Sequence, residues 1–227
     1  AAPPVRAYWM QTHSLFAQLR VPAERPPFPA VTRLEELDSE CLLWLASQEG
    51  FAGRSIFHGQ RLKRERTLSF QPPFGPELAR VFVSGGLLVE EGIDHAYTEQ
   101  WQTIGDCATD DLVALELLGD CERPGARPAR AGFLLVVGDY FIYAMERRPR
   151  LPPGDCLTEQ VARESDQEAK AALLDCEISF GRRRGTRTPW EIQLSTLPFR
   201  EGRSIFHQEP LPVLRPDGTC LQSFSSG

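Results

Sequence analysis

Short runs of alternating residues, each closed by glycine, proline or a polar turn, dominate this chain and restrict it to an antiparallel, β-rich architecture. Leu15, Ala17, Leu19 and Val21 fall at every second position, the period of a strand with one buried face, and Pro22 ends the run. The pattern resumes in Phe51 to His58, Leu62 to Phe70, Ala79 to Val83, Leu87 to Glu91 and Asp94 to Ile104, with Gly85-Gly86 placed for a tight hairpin. Val113, Leu115 and Leu117 alternate next, and Gly119 to Gly132 reads as an exposed loop. Phe133 to Val137 and Tyr140 to Arg147 flank Gly138-Asp139 and should pair. Leu174, Cys176, Ile178 and Phe180 make a further half-buried strand, and Trp190, Ile192 and Leu194 the last.

A parallel sheet would need a helix between successive strands, and one stretch alone supplies a strong helical pattern. Thr32 followed by Glu35 is a capping-box spacing; Leu34, Leu37, Cys41, Trp44 and Leu45 then recur at helical intervals, with Gly50 placed to end the helix in a left-handed conformation. Leu151 to Ala171 is polar with a thin apolar face, and Ser165 with Glu168 is spaced to cap one short helix there. The expected fold is therefore mainly β: an antiparallel calycin-like β-barrel of about ten strands with one flanking α-helix, residues 1–227 forming a single domain.

One hexapeptide occurs twice, as Gly53-Arg54-Ser55-Ile56-Phe57-His58 and as Gly202-Arg203-Ser204-Ile205-Phe206-His207. The repetition suggests an internal duplication in which the two copies are equivalent strands, Ile56 matching Ile205 and Phe57 matching Phe206 in orientation. That reading is preferred here to a paired functional site.

Charge excludes some partners. The formal net charge of -6 gives no general attraction to a phosphate backbone or an anionic membrane, so no nucleic acid and no membrane is expected as a partner. The basic runs at Arg61 to Arg66 and Arg182 to Arg184 read as solvated faces or loops. The longest apolar run, Phe133 to Val137, falls well short of the roughly 18 residues of a membrane span. No secretory signal is visible at Ala1 to Arg6. Six cysteines lie scattered with no C-x-x-C pair, which points to a reducing, cytoplasmic setting, with Cys41 and Cys176 as small core residues. His58, His95 and His207 lie at no metal-motif spacing, so no metal and no cofactor is expected. The chain also lacks a Gly-x-Ser-x-Gly elbow and a phosphate-cradling glycine loop.

Three segments, Gln11-Thr12-His13-Ser14-Leu15-Phe16-Ala17-Gln18-Leu19-Arg20-Val21-Pro22, Gln48-Glu49-Gly50-Phe51-Ala52-Gly53 and Ser195-Thr196-Leu197-Pro198-Phe199-Arg200-Glu201-Gly202, resemble an uncharacterised lipocalin-like family and, with it, a group of fungal calycin-like proteins. The resemblance implies a β-barrel of the kind that holds small ligands; it carries no catalytic signature and no site residues. The early Gly-x-Trp of true lipocalins is missing, since Ala7 and Tyr8 precede Trp9.

Two stretches could carry chemistry. Read as a strand, His95-Ala96-Tyr97-Thr98-Glu99-Gln100-Trp101 sends His95, Tyr97, Glu99 and Trp101 to one face, an aromatic and titratable wall for a ligand. In Leu62 to Phe70 alternation puts Arg64 and Arg66 on the face of Leu62, Leu68 and Phe70, and two guanidinium groups on an apolar face call for an anion, either a ligand's or a carboxylate of the fold. The expected function is thus binding of a small, partly apolar and acidic molecule inside the barrel. The alternatives are proton transfer by Glu99 and His95, or a protein-interaction module whose barrel is filled by its own side chains. Oligomeric state is not readable from the sequence.

Overall fold

The structure is a computed structural model that describes residues 4–72, 75–105, 112–117, 130–152, 154, 156–206, 213–214 and 220–221. Seven strands run as an antiparallel meander: β1 Val5–Gln11, β2 Leu15–Pro22, β3 Glu49–His58, β4 Arg61–Ser69, β5 Glu77–Ser84, β6 Leu87–Gly92 and β7 Thr98–Trp101, each paired with its chain neighbour. A second antiparallel sheet has the order β12-β11-β10-β9-β8, from β8 Leu112–Glu116, β9 Gly132–Val137, β10 Tyr140–Met145, β11 Glu177–Arg182 and β12 Glu191–Ser195. A small separate pair, β13 Val213–Leu214 and β14 Cys220–Leu221, completes the described strands.

These strands do not close into one barrel. Among the described residues no ladder joins the meander to the five-stranded sheet, and none joins β1 to β7. Instead the meander curls. Its convex face stacks on the second sheet, so that Leu15, Ala17, Leu19 and Val21 of β2 meet Phe133, Leu135, Ile142, Ile178 and Phe180 in one core. Tyr8 of β1 stacks flat on Phe180 of β11 with ring centroids 3.8 Å apart. β2 is covered on both sides: Phe16 and Gln18, which alternation sends to the concave side, are buried as well. Each fully buried leucine or phenylalanine here contributes about 1.5–3 kcal/mol.

Where turns were expected they occur with the backbone the residues favour. Gly85 and Gly86 have φ of 59° and 80°, and Gly138 has φ of 57°, values that strain other residues. The strand expected over Asp94 to Ile104 is much shorter, with only Thr98–Trp101 in the ladder to β6. The exposed loop expected from Gly119 to Gly132 lies outside the described residues up to residue 129, and Gly132 begins β9.

The helical layer corrects the sequence reading. A 3-10 turn over Leu34–Glu36 ends at the extended residue Leu37, and α1 (Ser39–Ala46) begins afresh behind Asp38, whose carboxylate accepts the Cys41 N–H at 2.8 Å. Asp38 is thus the N-cap in place of Thr32. Gly50 ends no helix; it sits in β3, where a side chain would crowd Ile178 and the Gln18 carbonyl. Two further helices, α2 (Leu157–Arg163) and α3 (Gln167–Leu174, capped by Asp166), add Leu157, Val161, Ala171 and Leu174 to the core. Both are too short to be stable alone, and packing against α1 holds them.

The repeated hexapeptide is not a duplicated strand. The first copy lies in β3; in the second, Gly202 and Arg203 form a turn, and Ser204 makes a single bridge to Glu191. Ile56 is 38% exposed whereas Ile205 is 5% exposed, so the matching isoleucines do not share an environment, although Phe57 and Phe206 are both exposed. His207 lies outside the described residues.

Candidate functional site

The concave face of the meander collects most of the residues singled out from the sequence. On β4 a register shift opposite Ala52 and Gly53 breaks simple alternation: Leu68 pairs with Ala52 and, with Phe70, joins the inter-sheet core, while Arg66 and Arg64 pair with Gly53 and Ser55 and turn to the concave side. Arg64 and Arg66 therefore do not share a face with Leu68 and Phe70, contrary to strict alternation. Cross-strand neighbours bring Glu77 beside Arg64, and Glu99 beside Glu90.

Ion pairs of the chain's own residues fill this face. Arg64, 2% exposed, donates both terminal nitrogens to Glu90, with Nη2 2.6 Å from Oε2. Arg66 Nη2 donates to Glu77 at 2.7 Å, and the Tyr97 hydroxyl lies 2.7 Å from Glu77 and 2.9 Å from Glu90, its proton shared between them. The Arg64 guanidinium also lies over Trp9 at 4.7 Å, and Arg66 lies on Phe51 at 3.8 Å. Across the curl, Arg20 of β2 bonds Glu99 of β7 and lies 5.7 Å from the Trp101 ring, while Trp9 of β1 meets Trp101 edge to face at 5.5 Å. The Gln18 amide oxygen, turned toward Arg20, accepts from its Nε and Nη2 at 2.6 Å.

The electrostatics follow from this packing. Burial, then the hydrogen bond to Glu77 and the charges of Glu90 and Glu77, push the Tyr97 phenol far above its ordinary range. Burial would raise the Glu77 carboxyl, but its bonds to Tyr97 and Arg66 and the charges of Arg66 and Arg64 outweigh it and hold it below its ordinary value. Burial likewise works against the Arg64 charge, and Glu90 more than restores it.

Arg64, Arg66, Tyr97, Glu99 and Trp101 are thus brought together, with Glu90 and Glu77 holding the place expected for a ligand's anion. His95 is the exception: it precedes the shortened β7 and is exposed. Sequence reasoning missed Phe16, Gln18, Arg20, Phe51, Glu77 and Glu90, and saw in Trp9 only a residue that could plug a barrel end. Phe16, Gln18 and Arg20 alternate as regularly as Leu15, Ala17, Leu19 and Val21, but that second period carries meaning only once the sheet is known to curl.

A second feature has open volume. A surface cleft of about 470 Å³ lies between the proline-rich segment after β2 and the 3-10 turn Pro198–Arg200, with Phe28, Val31, Leu37 and Phe199 among its walls and Arg25 and Arg203 on it. Arg25 Nη1 donates to both Glu201 oxygens, at 2.9 and 2.8 Å, and Glu201 also accepts the Ser195 N–H at 3.0 Å. The Arg25 guanidinium stacks over Phe28 at 5.1 Å, and Phe28 packs edge to face on Trp44, whose Nε1–H donates to the Glu24 carbonyl at 2.9 Å. Arg203 is exposed and makes no ion pair among the described residues.

Among the described residues no group of three or more His, Cys, Asp or Glu side chains is arranged to hold a metal ion; His58 is exposed like His95. No described helix is long and apolar enough to cross a membrane. Comparison with known proteins finds no matching family model, no matching curated protein and no matching solved structure.

Proposed function

We propose that this chain is a binding protein for a small, partly apolar molecule with an acidic group, and that the cleft beside Arg25, Phe28 and Arg203 receives it. The observation carrying this reading is the union of aromatic and aliphatic walls with a guanidinium that no described carboxylate neutralises, in a cleft of about 470 Å³, a volume typical of small-ligand sites. Glu201 and Phe28 hold Arg25 in place, so part of the site is ordered before a ligand arrives.

The concave interior supports the same reading from the other side. Its guanidinium groups already have carboxylate partners, so no unpaired charge there awaits an acidic ligand, and a calycin-like ancestry accords with a curled meander whose hollow is largely filled by side chains. Proton transfer by Glu99 and His95 has less in its favour: Arg20 engages Glu99, and His95 stands in an exposed bend.

Titration with 3-phenylpropanoate and its neutral amide, followed by calorimetry and by the fluorescence of Trp44, tests the proposal. Saturable binding of the acid, weakened about tenfold or more by Arg203→Ala and also weakened by Phe28→Ala, is expected, because a charge-assisted hydrogen bond contributes about 1.5–3 kcal/mol. Equal affinity for the amide, or indifference to Arg203→Ala, overturns it.

A further inference from the structure

The curl of the meander is closed at one seam by side chains alone. Strands β1 and β7 share no ladder, and the described contacts that span the gap include the Trp9–Trp101 pair and the Arg20–Glu99 ion pair. At this seam the hydrogen-bond account does not balance. The indole Nε1–H groups of both Trp9 and Trp101 are buried and have no acceptor, and elsewhere on the same face the Nε–H of Arg64 and of Arg66 also lack one. Buried donors are paired in the great majority of folded proteins, so the two indole donors that meet at the seam point to an acceptor, a water or a ligand, that the chain itself does not supply.

Nearby groups cannot make up the deficit. Glu77, Glu90 and Glu99 are taken by Arg66, Arg64, Tyr97 and Arg20, and the Gln18 oxygen by Arg20. In an edge-to-face pair at most one indole N–H can turn onto its partner's ring, and guanidinium groups already lie against both rings, Arg64 at Trp9 and Arg20 at Trp101. Charge then decides the class of molecule. Three arginines (Arg20, Arg64, Arg66) face three glutamates (Glu77, Glu90, Glu99), so the site is electrically balanced and an added anion would be buried without a counter-charge.

We propose that the β1–β7 seam is a second binding site, independent of the surface cleft, that takes a small, flat, neutral molecule bearing a carbonyl-type acceptor. The acceptor receives the Nε1–H of Trp9 and of Trp101, and its ring packs against the indole pair. The seam parts to admit it, since neither of these two contacts is a backbone ladder and Arg20 and Glu99 are both partly open to water, at 22% and 24% exposure.

Three near-isosteres separate the terms: acetophenone is neutral with an acceptor, benzoate is charged, and ethylbenzene has no acceptor. The readout is the indole ¹H–¹⁵N spectrum of the full chain, whose four tryptophans are assigned from Trp→Phe variants. Acetophenone should shift the Trp9 and Trp101 resonances saturably and leave those of Trp44 and Trp190 in place, with benzoate and ethylbenzene at least about tenfold weaker. Trp9→Phe and Trp101→Phe, which keep a ring and remove a donor, should each weaken acetophenone about fivefold, whereas Arg203→Ala should leave it unchanged. The proposal is overturned if the two resonances do not move, if benzoate binds as well as acetophenone, or if both Phe variants bind normally. It is likewise overturned if both indole protons are slow to exchange and unmoved by the probe, because a firmly held internal water then satisfies them. Spectral dispersion of each variant verifies that it remains folded.

Discussion

Arg64 shows how a single side chain can be costly to remove and yet contribute little net stability. Its charge is buried against Glu90, so Arg64→Ala strands a carboxylate in the interior and should cost about 3–5 kcal/mol, read as a shift in the urea midpoint. Replacing both partners, with Arg64→Met and Glu90→Leu together, should leave stability near or above that of the parent, because the desolvation of both ions is removed at once. A double variant as unstable as the single one would mean that the wider network with Tyr97 and Glu77 holds the curl in shape. The two glycines that open the repeated hexapeptide are held by different causes. A side chain at Gly53 would overlap the Glu65 carbonyl oxygen and crowd Arg66, so Gly53→Ala should destabilise by about 1–3 kcal/mol through overpacking. Gly202 has open space but φ of 75°, so Gly202→Ala should cost about 1–2 kcal/mol through backbone strain alone. The same motif thus meets a different local environment at each opening glycine.

At the scale of elements, helix α1 joins the helical layer to the core of the sheets. Leu42 and Leu45 are fully buried, whereas Trp44 is half-buried against Phe28, at the edge of the cleft. Leu42→Ala and Leu45→Ala should therefore each cost about 2–5 kcal/mol, and Trp44→Ala less than either, despite the larger side chain it removes. Thermal denaturation of the three variants gives the order; a Trp44 variant as damaged as the leucine variants would place the cleft wall within the cooperative core. The short helices α2 and α3 depend on the same layer, since Leu157, Val161 and Leu174 find their partners there.

Across the whole molecule, the filled curl contributes to the pH dependence of stability at both ends, alongside the buried thiols of Cys41 and Cys176, which burial pushes up to about 11. Glu77 sits below its ordinary value of 4.5, so its contribution is complete above that value and is lost as pH falls through the lower folded value. Tyr97 is raised, by burial first and then by its glutamates, and Tyr143 is pushed up to about 12 by burial and Glu177. For these phenols the protonated form is favoured in the folded state, so their contribution is complete below 10 and is lost as pH rises beyond it. Burial raises Asp175, which acts in the opposite sense to Glu77 in acid. Stability measured by urea unfolding should therefore be level from about pH 5 to about pH 9 and fall on either side. Glu77→Gln should flatten the acid limb and Tyr97→Phe the alkaline limb. Limbs unchanged by these substitutions would show that other groups set the range.

Many strands were legible in the sequence, because alternation at one buried face depends only on neighbours along the chain: Leu15 to Val21 and Ile178 to Phe180 announce themselves in this way, whereas β1 and the pair β13 and β14 went unread and Leu174, read as strand, ends α3. The turns were legible for the same reason, since Gly85-Gly86 and Gly138 meet a local backbone demand. The candidate ligand wall was half legible. Tyr97, Glu99, Trp101, Arg64 and Arg66 do share one interior, but Glu77 and Glu90 come from other strands, and which carboxylate meets which arginine follows from strand register and curl. The number of sheets, the second of the two short helices where the sequence offered one, and the cleft between residues 25 and 203 were settled only in three dimensions. In each of these the stabilising contact joins residues far apart in the chain, and no pattern within one segment records its partner.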